Sequence, residues 1–217
     1  PYTSAVFSNI TFIGPKLDKN FQNNADYITG GDMFPNNGSS LGRFQSGMQI
    51  RRNSHLNCYN SLVIGWPIGV MIDNEKGNCW QAAKDQLINV QNVWLADCDL
   101  VGSDMNKQYK DSLALDYKAK TFDPTAAHSF STTWFLAQPG NRTADLASLL
   151  MSSTPYLPTS SSPVLTAADF TAPALKAMEQ VPFLGAFDAP ASVASASSAS
   201  ASWLTGWTNF DPQNTPY

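Results

Sequence analysis

Two acidic residues that stand two positions apart, Asp97 and Asp99, are the best candidates for chemistry in this sequence. Alternate residues of a β-strand point to the same side, and neighbouring carboxylate oxygens are ligands that Ca²⁺ prefers. The one pair of adjacent basic residues, Arg51 and Arg52, could lie on a neighbouring strand and act on an anionic substrate. These four residues are the catalytic candidates if the chain is an enzyme, and the two aspartates are also the metal candidates.

Aromatic rings are the second kind of candidate site, because a flat ring can stack on the face of a sugar. Trp66, which precedes a proline at an expected corner of the chain, and Tyr59 are the candidates for such ligand binding. His55 and His128 each stand alone, without a Ser or Cys motif that would complete a catalytic triad. The sequence therefore offers glycan binding as an alternative to catalysis.

The composition excludes several classes of protein. The 217 residues carry a net charge of −4, without the basic stripe that binding to nucleic acid requires. Apolar runs fall short of the roughly 20 residues of a membrane-spanning helix, so no transmembrane segment is expected. An odd number of cysteines without a CxxC pair predicts buried free thiols at Cys58, Cys79 and Cys98.

Internal repeats are the most informative feature of the sequence. Asn or Asp, followed by apolar residues and Gly, occurs at 9–14, 60–65 and 97–102, and a second pattern at 47–53 recurs 22 residues later at 69–75. Three short strands with their corners would close one coil of that length, and stacked coils would pair each strand with its equivalents above and below. Asn9, Asn60 and Asp97 are then expected at equivalent corners, which favours a structural role for Asp97 over a metal site.

The repeats predict an all-β fold, a single-stranded right-handed parallel β-helix with one or two short flanking helices. Those helices are expected from Cys79 to Leu87, behind an Asn78 cap, and from Ala167 to about Gln180, behind a Thr166 cap. The alternative is an antiparallel sandwich with similar short strands.

The chain is predicted to be a single domain over 1–217, with three parts of different composition. Coils are expected mainly in 1–135, and an irregular part rich in Pro, Ser and Ala at 136–202. An aromatic stretch at 203–217 is expected to tie the C-terminus to the core.

Several motifs together resemble a known family. They are FSNITFIGP at 7–15, MQIRRN at 48–53, YNSLVIGWPIGVMI at 59–72, FLGAF at 183–187 and GWTNFDPQN at 206–214. These motifs are similar to the C-terminal half of an uncharacterised family of secreted or cell-surface bacterial proteins, which looks like a pectin-lyase-like β-helix. The resemblance implies an extracellular or cell-envelope location and a missing N-terminal half of the same protein, but no established activity. The Ser/Ala stretch at 191–202 departs from the family's pattern.

We therefore predict a non-catalytic structural, adhesive or glycan-binding domain of the bacterial cell envelope or exterior, with no cofactor. Its partner would be a polysaccharide or the missing N-terminal half. One alternative is a pectinase-like polysaccharide lyase or hydrolase, which would require Ca²⁺ if it were a lyase. The other is a protein-interaction module that docks the missing N-terminal half. Three outward carboxylates within about 5 Å would favour the enzyme, whereas an uncapped apolar coil at the N-terminal end would favour the docking module.

Overall fold

The structure is a computed structural model that describes residues 2–17, 45–104, 114–116, 121–123, 128–152 and 157–188. Within these ranges the strands are β1 (Val6–Ser8), β2 (Thr11–Ile13), β3 (Ser46–Ile50), β4 (Asn57–Ile64), β5 (Ile68–Ile72), β6 (Asn89–Ala96), β7 (Leu100–Ser103), β8 (Ala114–Asp116), β9 (Thr121–Asp123) and β10 (Arg142–Ala144). The α-helices are α1 (Cys79–Lys84) and α2 (Phe130–Ala137), and short 3-10 helices occur at Pro15–Leu17, Leu146–Leu149, Pro163–Thr166 and Pro173–Leu175. The aromatic stretch at 203–217 lies outside the described residues.

Two parallel sheets organise these strands. In sheet A, β1 and β2 both pair with β4, and β4 is followed by β6 and then β10. In sheet B the order is β3, β5 and β7. From β3 to β7 the chain alternates between the two sheets, so that each sheet gains its strands in the order of the sequence. A separate antiparallel pair consists of β8 and β9.

The prediction of an all-β, single-stranded right-handed β-helix is wrong. The described residues form an α/β type of fold, with two sheets of parallel strands and α-helices between and after them. The 22-residue repeat is real, because Met48 lies opposite Val70 in sheet B. The next pairing places Ile68 opposite Leu100, a longer step, because the connection from β5 to β6 contains α1. A stack of equal coils needs the same number of residues between paired positions in successive strands, and in this chain that number varies.

The hydrophobic core lies mainly between the two sheets. All eight residues of β4 and all five of β5 are buried, as expected for parallel strands that are covered on both faces. The cluster between the sheets includes Val63, Val70 and Leu95, and it is completed by side chains of α1 and α2. A second cluster covers the other face of sheet A, where Leu62 and Trp94 meet apolar residues from the C-terminal part of the chain.

The two predicted helices had different outcomes. The first begins at Cys79 after Asn78, as predicted, but the Asn78 side chain makes no capping hydrogen bond and the helix ends at Lys84 rather than Leu87. The second prediction, a helix over 167–180, is wrong, because only the 3-10 helix Pro173–Leu175 occurs there. A proline has no N–H to donate inside a helix, and the backbone of Ala167 and Asp169 is bonded to sheet A instead.

A row of left-handed residues crosses sheet A. The register aligns Asn9, Asn60, Asn92 and Gly140, whose φ angles are 57°, 48°, 52° and 72°. Each strand bends at this residue, and asparagine and glycine are the residues that adopt this conformation most readily. The predicted equivalence of Asn9 and Asn60 is thus confirmed. The predicted equivalence of Asp97 is wrong, because the register places it opposite Gly65.

Residues 163–187, called here the C-terminal strap, lie across the outer face of sheet A. The strap is held by side-chain amides of the asparagine row: Asn9 Nδ2 donates to the Phe183 oxygen at 2.6 Å and Asn92 Nδ2 to the Ala167 oxygen at 2.8 Å. Asn60 bonds both backbone groups of Asp169, at 3.0 and 2.8 Å. The row therefore satisfies polar backbone in a segment with little regular structure of its own.

Candidate functional site

The acidic candidates Asp97 and Asp99 lie in the turn between β6 and β7 rather than on one strand face. The Lys16 ammonium group contacts both, with Nζ 2.7 Å from Asp99 Oδ1 and 3.5 Å from Asp97 Oδ1. Burial lowers the pKa of Lys16, but the hydrogen bond to Asp99 and the charges of both aspartates outweigh burial and raise that pKa. The two carboxylates both contact one lysine, which the sequence pattern did not indicate.

The basic candidates lie elsewhere. Arg51 Nε is 3.4 Å from Oδ2 of Asp73, a carboxylate that is 1 % exposed and that also accepts a hydrogen bond from Gln49. Arg52 occupies an exposed turn with a φ of 55°. Within the described ranges, no salt bridge connects either arginine to the aspartates at 97 and 99. The structure therefore divides the four catalytic candidates into two separate groups.

The aromatic candidates are packed into the protein. Tyr59 is buried, and Trp66 is partly buried against the cluster between the sheets, with its indole Nε1 donating to the Phe12 oxygen at 3.3 Å. A Cβ atom on Gly14 would lie 2.7 Å from Trp66 Cδ1, which shows how closely the ring is surrounded. Both rings are engaged in internal contacts, so neither is presented as an open platform for a sugar.

Buried thiols are the remaining titratable groups of note. All three cysteines are free, and Cys58 and Cys79 are buried while Cys98 is partly buried, which confirms the predicted free thiols. Burial raises the pKa of Cys58 and of Cys98 to about 11 each, and it also raises the pKa of Cys79. Among the described residues, no three His, Cys, Asp or Glu side chains are grouped so as to hold a metal ion.

These pKa shifts predict slow alkylation of the native chain. At pH 8 we expect iodoacetamide to modify Cys58 and Cys98 about a hundredfold more slowly than in the unfolded chain, because the thiolate is the reactive form. Because the folded chain holds these thiols protonated, their contribution to stability should be lost as the pH rises from about 9 to about 11. Mass spectrometry of timed samples, with and without urea, measures the rates. Rapid native labelling at either residue would contradict the burial of that thiol.

The edge of sheet A formed by β1 and β2 presents backbone groups without a neighbouring strand among the described residues. The Ala5 oxygen and the Asn9 nitrogen bond to β4. Because successive residues of a strand point their backbone groups to alternate sides, the N–H and C=O groups of Val6 and Ser8 point away from β4. The same alternation turns the backbone groups of Thr11 outward. We call this edge, residues 6–13, the open edge.

Paired residues of neighbouring strands form rows of side chains across sheet A. At the open edge, two rows of core side chains end in exposed apolar residues. Phe7 continues the row of Cys58 and Val90, both buried between the sheets, and yet Phe7 is 43 % exposed. Ile13 continues the row of buried residues on the other face of the sheet and is 38 % exposed. Tyr2, just before this edge, is 67 % exposed and stacks on His55 with 4.6 Å between ring centroids. Both clusters that flank sheet A are therefore open at this end.

The opposite edges of the two sheets, at β10 and β7, are covered or charged. At β10 the rows of sheet A end in Arg142 and Thr143, which are exposed, and the Arg142 guanidinium lies 3.3 Å from the centroid of the Trp94 ring. At β7, helix α2 closes sheet B, and Thr132 Oγ1 donates to the Gly102 oxygen. Charged and capped ends of this kind discourage further strands from pairing. The apolar open edge has no such protection within the described residues.

Comparison with known proteins gives no relative for this chain. No family model matches the sequence, no curated protein matches it, and no solved structure matches the fold. In the described ranges no helix has the length and apolar character needed to cross a lipid bilayer. The described residues define an α/β type of protein with two parallel sheets, in which sheet A has the apolar open edge.

Proposed function

We propose that this chain is a non-catalytic structural domain of the bacterial cell envelope or exterior, and that it docks a further segment of protein along its open edge. The observation that carries the proposal is the ending of buried side-chain rows at Phe7 and Ile13, beside backbone groups that have no neighbouring strand in the part of the chain that the structure describes. Main-chain hydrogen bonds and apolar contacts together are what strand addition uses in protein recognition. An edge with these features is also the one that natural proteins otherwise protect.

The order of strands favours an upstream part of the same protein as the docked segment. Sheet A runs from β1 through β4 and β6 to β10, and sheet B from β3 through β5 to β7, so both sheets grow in sequence order. A strand that continues this order beyond β1 comes from residues that precede it. The resemblance to the C-terminal half of a family of exported proteins supports the same partner and the same location.

The glycan-binding and pectinase-like alternatives have less support. Asp97 and Asp99 are bonded to Lys16, and the arginines lie in a different group. The rings of Trp66 and Tyr59 are engaged in packing. Apart from the exposed Arg52, the residues that these functions would need thus take part in contacts within the fold.

Site-specific photo-crosslinking in the full-length protein tests the proposal. With p-benzoyl-phenylalanine in place of Phe7, we expect a crosslink to a peptide that precedes β1, identified by mass spectrometry. The same replacement at Leu136, which is 47 % exposed on α2, serves as the control and should give no such product. A crosslinker at position 7 that reacts only with its known neighbours, such as Cys58, would overturn the proposed docking.

A further inference from the structure

We propose that the segment docked on the open edge carries an asparagine or a glycine directly opposite Asn9, in the left-handed conformation. This inference rests on the proposed docking function and specifies the chemistry of the partner. The partner is a parallel strand that bends once, with apolar residues on both sides of the bend.

The row of four left-handed residues constrains the backbone of any strand that docks beside β1 and β2. Every strand of sheet A that reaches this row bends there, at Asn9, Asn60, Asn92 or Gly140, with φ between 48° and 72°. A straight partner could pair with β1 or with β2 but not with both, because the bend at Asn9 separates them. To pair with both, the partner must bend at the same position, and there a side chain other than Asn or Gly is strained.

An asparagine at this position of the partner can also form a specific hydrogen bond with Asn9. Amide groups donate along the row toward the open edge: Asn92 Nδ2 donates to Asn60 Oδ1 at 2.8 Å, and Asn60 Nδ2 donates to Ser8 Oγ at 3.3 Å. The Ser8 hydroxyl then donates to Asn9 Oδ1 at 2.6 Å. Asn9 uses one of its two amide N–H groups on the Phe183 oxygen, so the second can donate to the amide oxygen of a docked asparagine.

The register also fixes the apolar positions of the partner. The partner residue two positions before the bend is expected opposite Phe7 in the sheet. The partner residues three and four positions after the bend are expected opposite Phe12 and Ile13. In β4 the corresponding residues are Cys58, Val63 and Ile64, and in β6 they are Val90, Leu95 and Ala96. The expected sequence of the partner is therefore seven residues long. It has an apolar residue at position 1, Asn or Gly at position 3 and apolar residues at positions 6 and 7, with any residue at the other positions.

A fusion of the chain to a copy of its own β4 tests this pattern. Residues 57–64 with Cys58→Val are joined ahead of Pro1 by a flexible linker of about 30 residues, which gives a high effective concentration. Three versions carry Asn, Gly or Ala at the position of Asn60 in the copy. Hydrogen exchange of the Val6 amide in β1 and of the Thr11 amide in β2, measured by NMR, reports whether both sides of the bend in the open edge are paired.

The Asn and Gly versions should slow exchange at both amides at least about tenfold relative to the unfused chain, whereas the Ala version should protect at most one of the two. Equal protection by all three versions would refute the asparagine rule and leave the docking function standing. No protection by any version would overturn the inference, and the crosslink at position 7 then decides separately whether docking occurs. Slow exchange in the unfused chain would show that this edge is already covered, and it would overturn both proposals.

Discussion

Replacing Asn60 by alanine should lower the free energy of unfolding by about 4 kcal/mol. The side chain is fully buried and bonds four partners, among them the amide of Asn92 and both backbone groups of Asp169. Alanine would remove all four bonds, and Ser8 and Asn92 would keep only their bonds to Asn9 and Ala167. It would also have to adopt the φ of 48° that Asn60 adopts. Urea unfolding followed by tryptophan fluorescence measures the loss.

Two further variants separate the causes. Asn60→Gly keeps the left-handed backbone without strain and should recover about 1 kcal/mol relative to alanine. Gln86→Ala is the matched control, because Gln86 has a similar φ of 58° but is exposed. Recovery of nearly the whole loss by Asn60→Gly would show that backbone strain is responsible, and that the amide bonds across sheet A contribute little.

Replacing Asp104 by alanine should cost about 2–3 kcal/mol, because this carboxylate satisfies the start of α2. Its two oxygens accept the backbone N–H groups of Phe130 and Ser131, each at 2.8 Å, and the Ser131 hydroxyl, also at 2.8 Å. That hydroxyl in turn accepts the Ile72 N–H of sheet B. The substitution of Asp104 should therefore destabilise the end of sheet B as well as α2.

Asp145→Ala is the matched control for this change. Asp145 also precedes a helical segment, Leu146–Leu149, but its side chain makes no capping bond. Urea unfolding should show a change within about 0.5 kcal/mol for the control. If the two variants lose the same stability, the bonds of Asp104 to α2 do not contribute as described. Hydrogen exchange at Phe130 and Ser131 provides a local measurement.

The sequence predicted local pairings well where two segments share an unbroken pattern. The equivalence of 47–53 with 69–75 and that of Asn9 with Asn60 both appear in the register. The assignment of Asp97 failed because its segment repeats the Asn–apolar–Gly spacing by coincidence, while the true partner, Asn92, lies inside β6. A pattern within one strand does not reveal how many residues the intervening helix adds to the step between strands.

The candidate sites were less predictable, for a related reason. The pairing of Lys16 with Asp99 joins residues far apart in sequence, and it depends on how the turn after β6 stacks on the 3-10 helix after β2. The open edge has no local signal either. The β1–β2 segment has the same pattern of apolar residues and asparagine as β4, and only its position at the end of the stack makes Phe7 and Ile13 exposed.

The C-terminal strap makes folding depend on contacts between residues that are far apart in the sequence. The bond from Asn9 to Phe183 spans 174 residues, and that from the Ala186 N–H to Thr11 Oγ1 spans 175. Contacts of such separation close large loops, and chains that depend on them fold slowly. During synthesis, the polar side chains of the first strands acquire these bonds only after nearly the last described residues have been made. In a chain that is made from its N-terminus, the contacts of the first strands are therefore completed last.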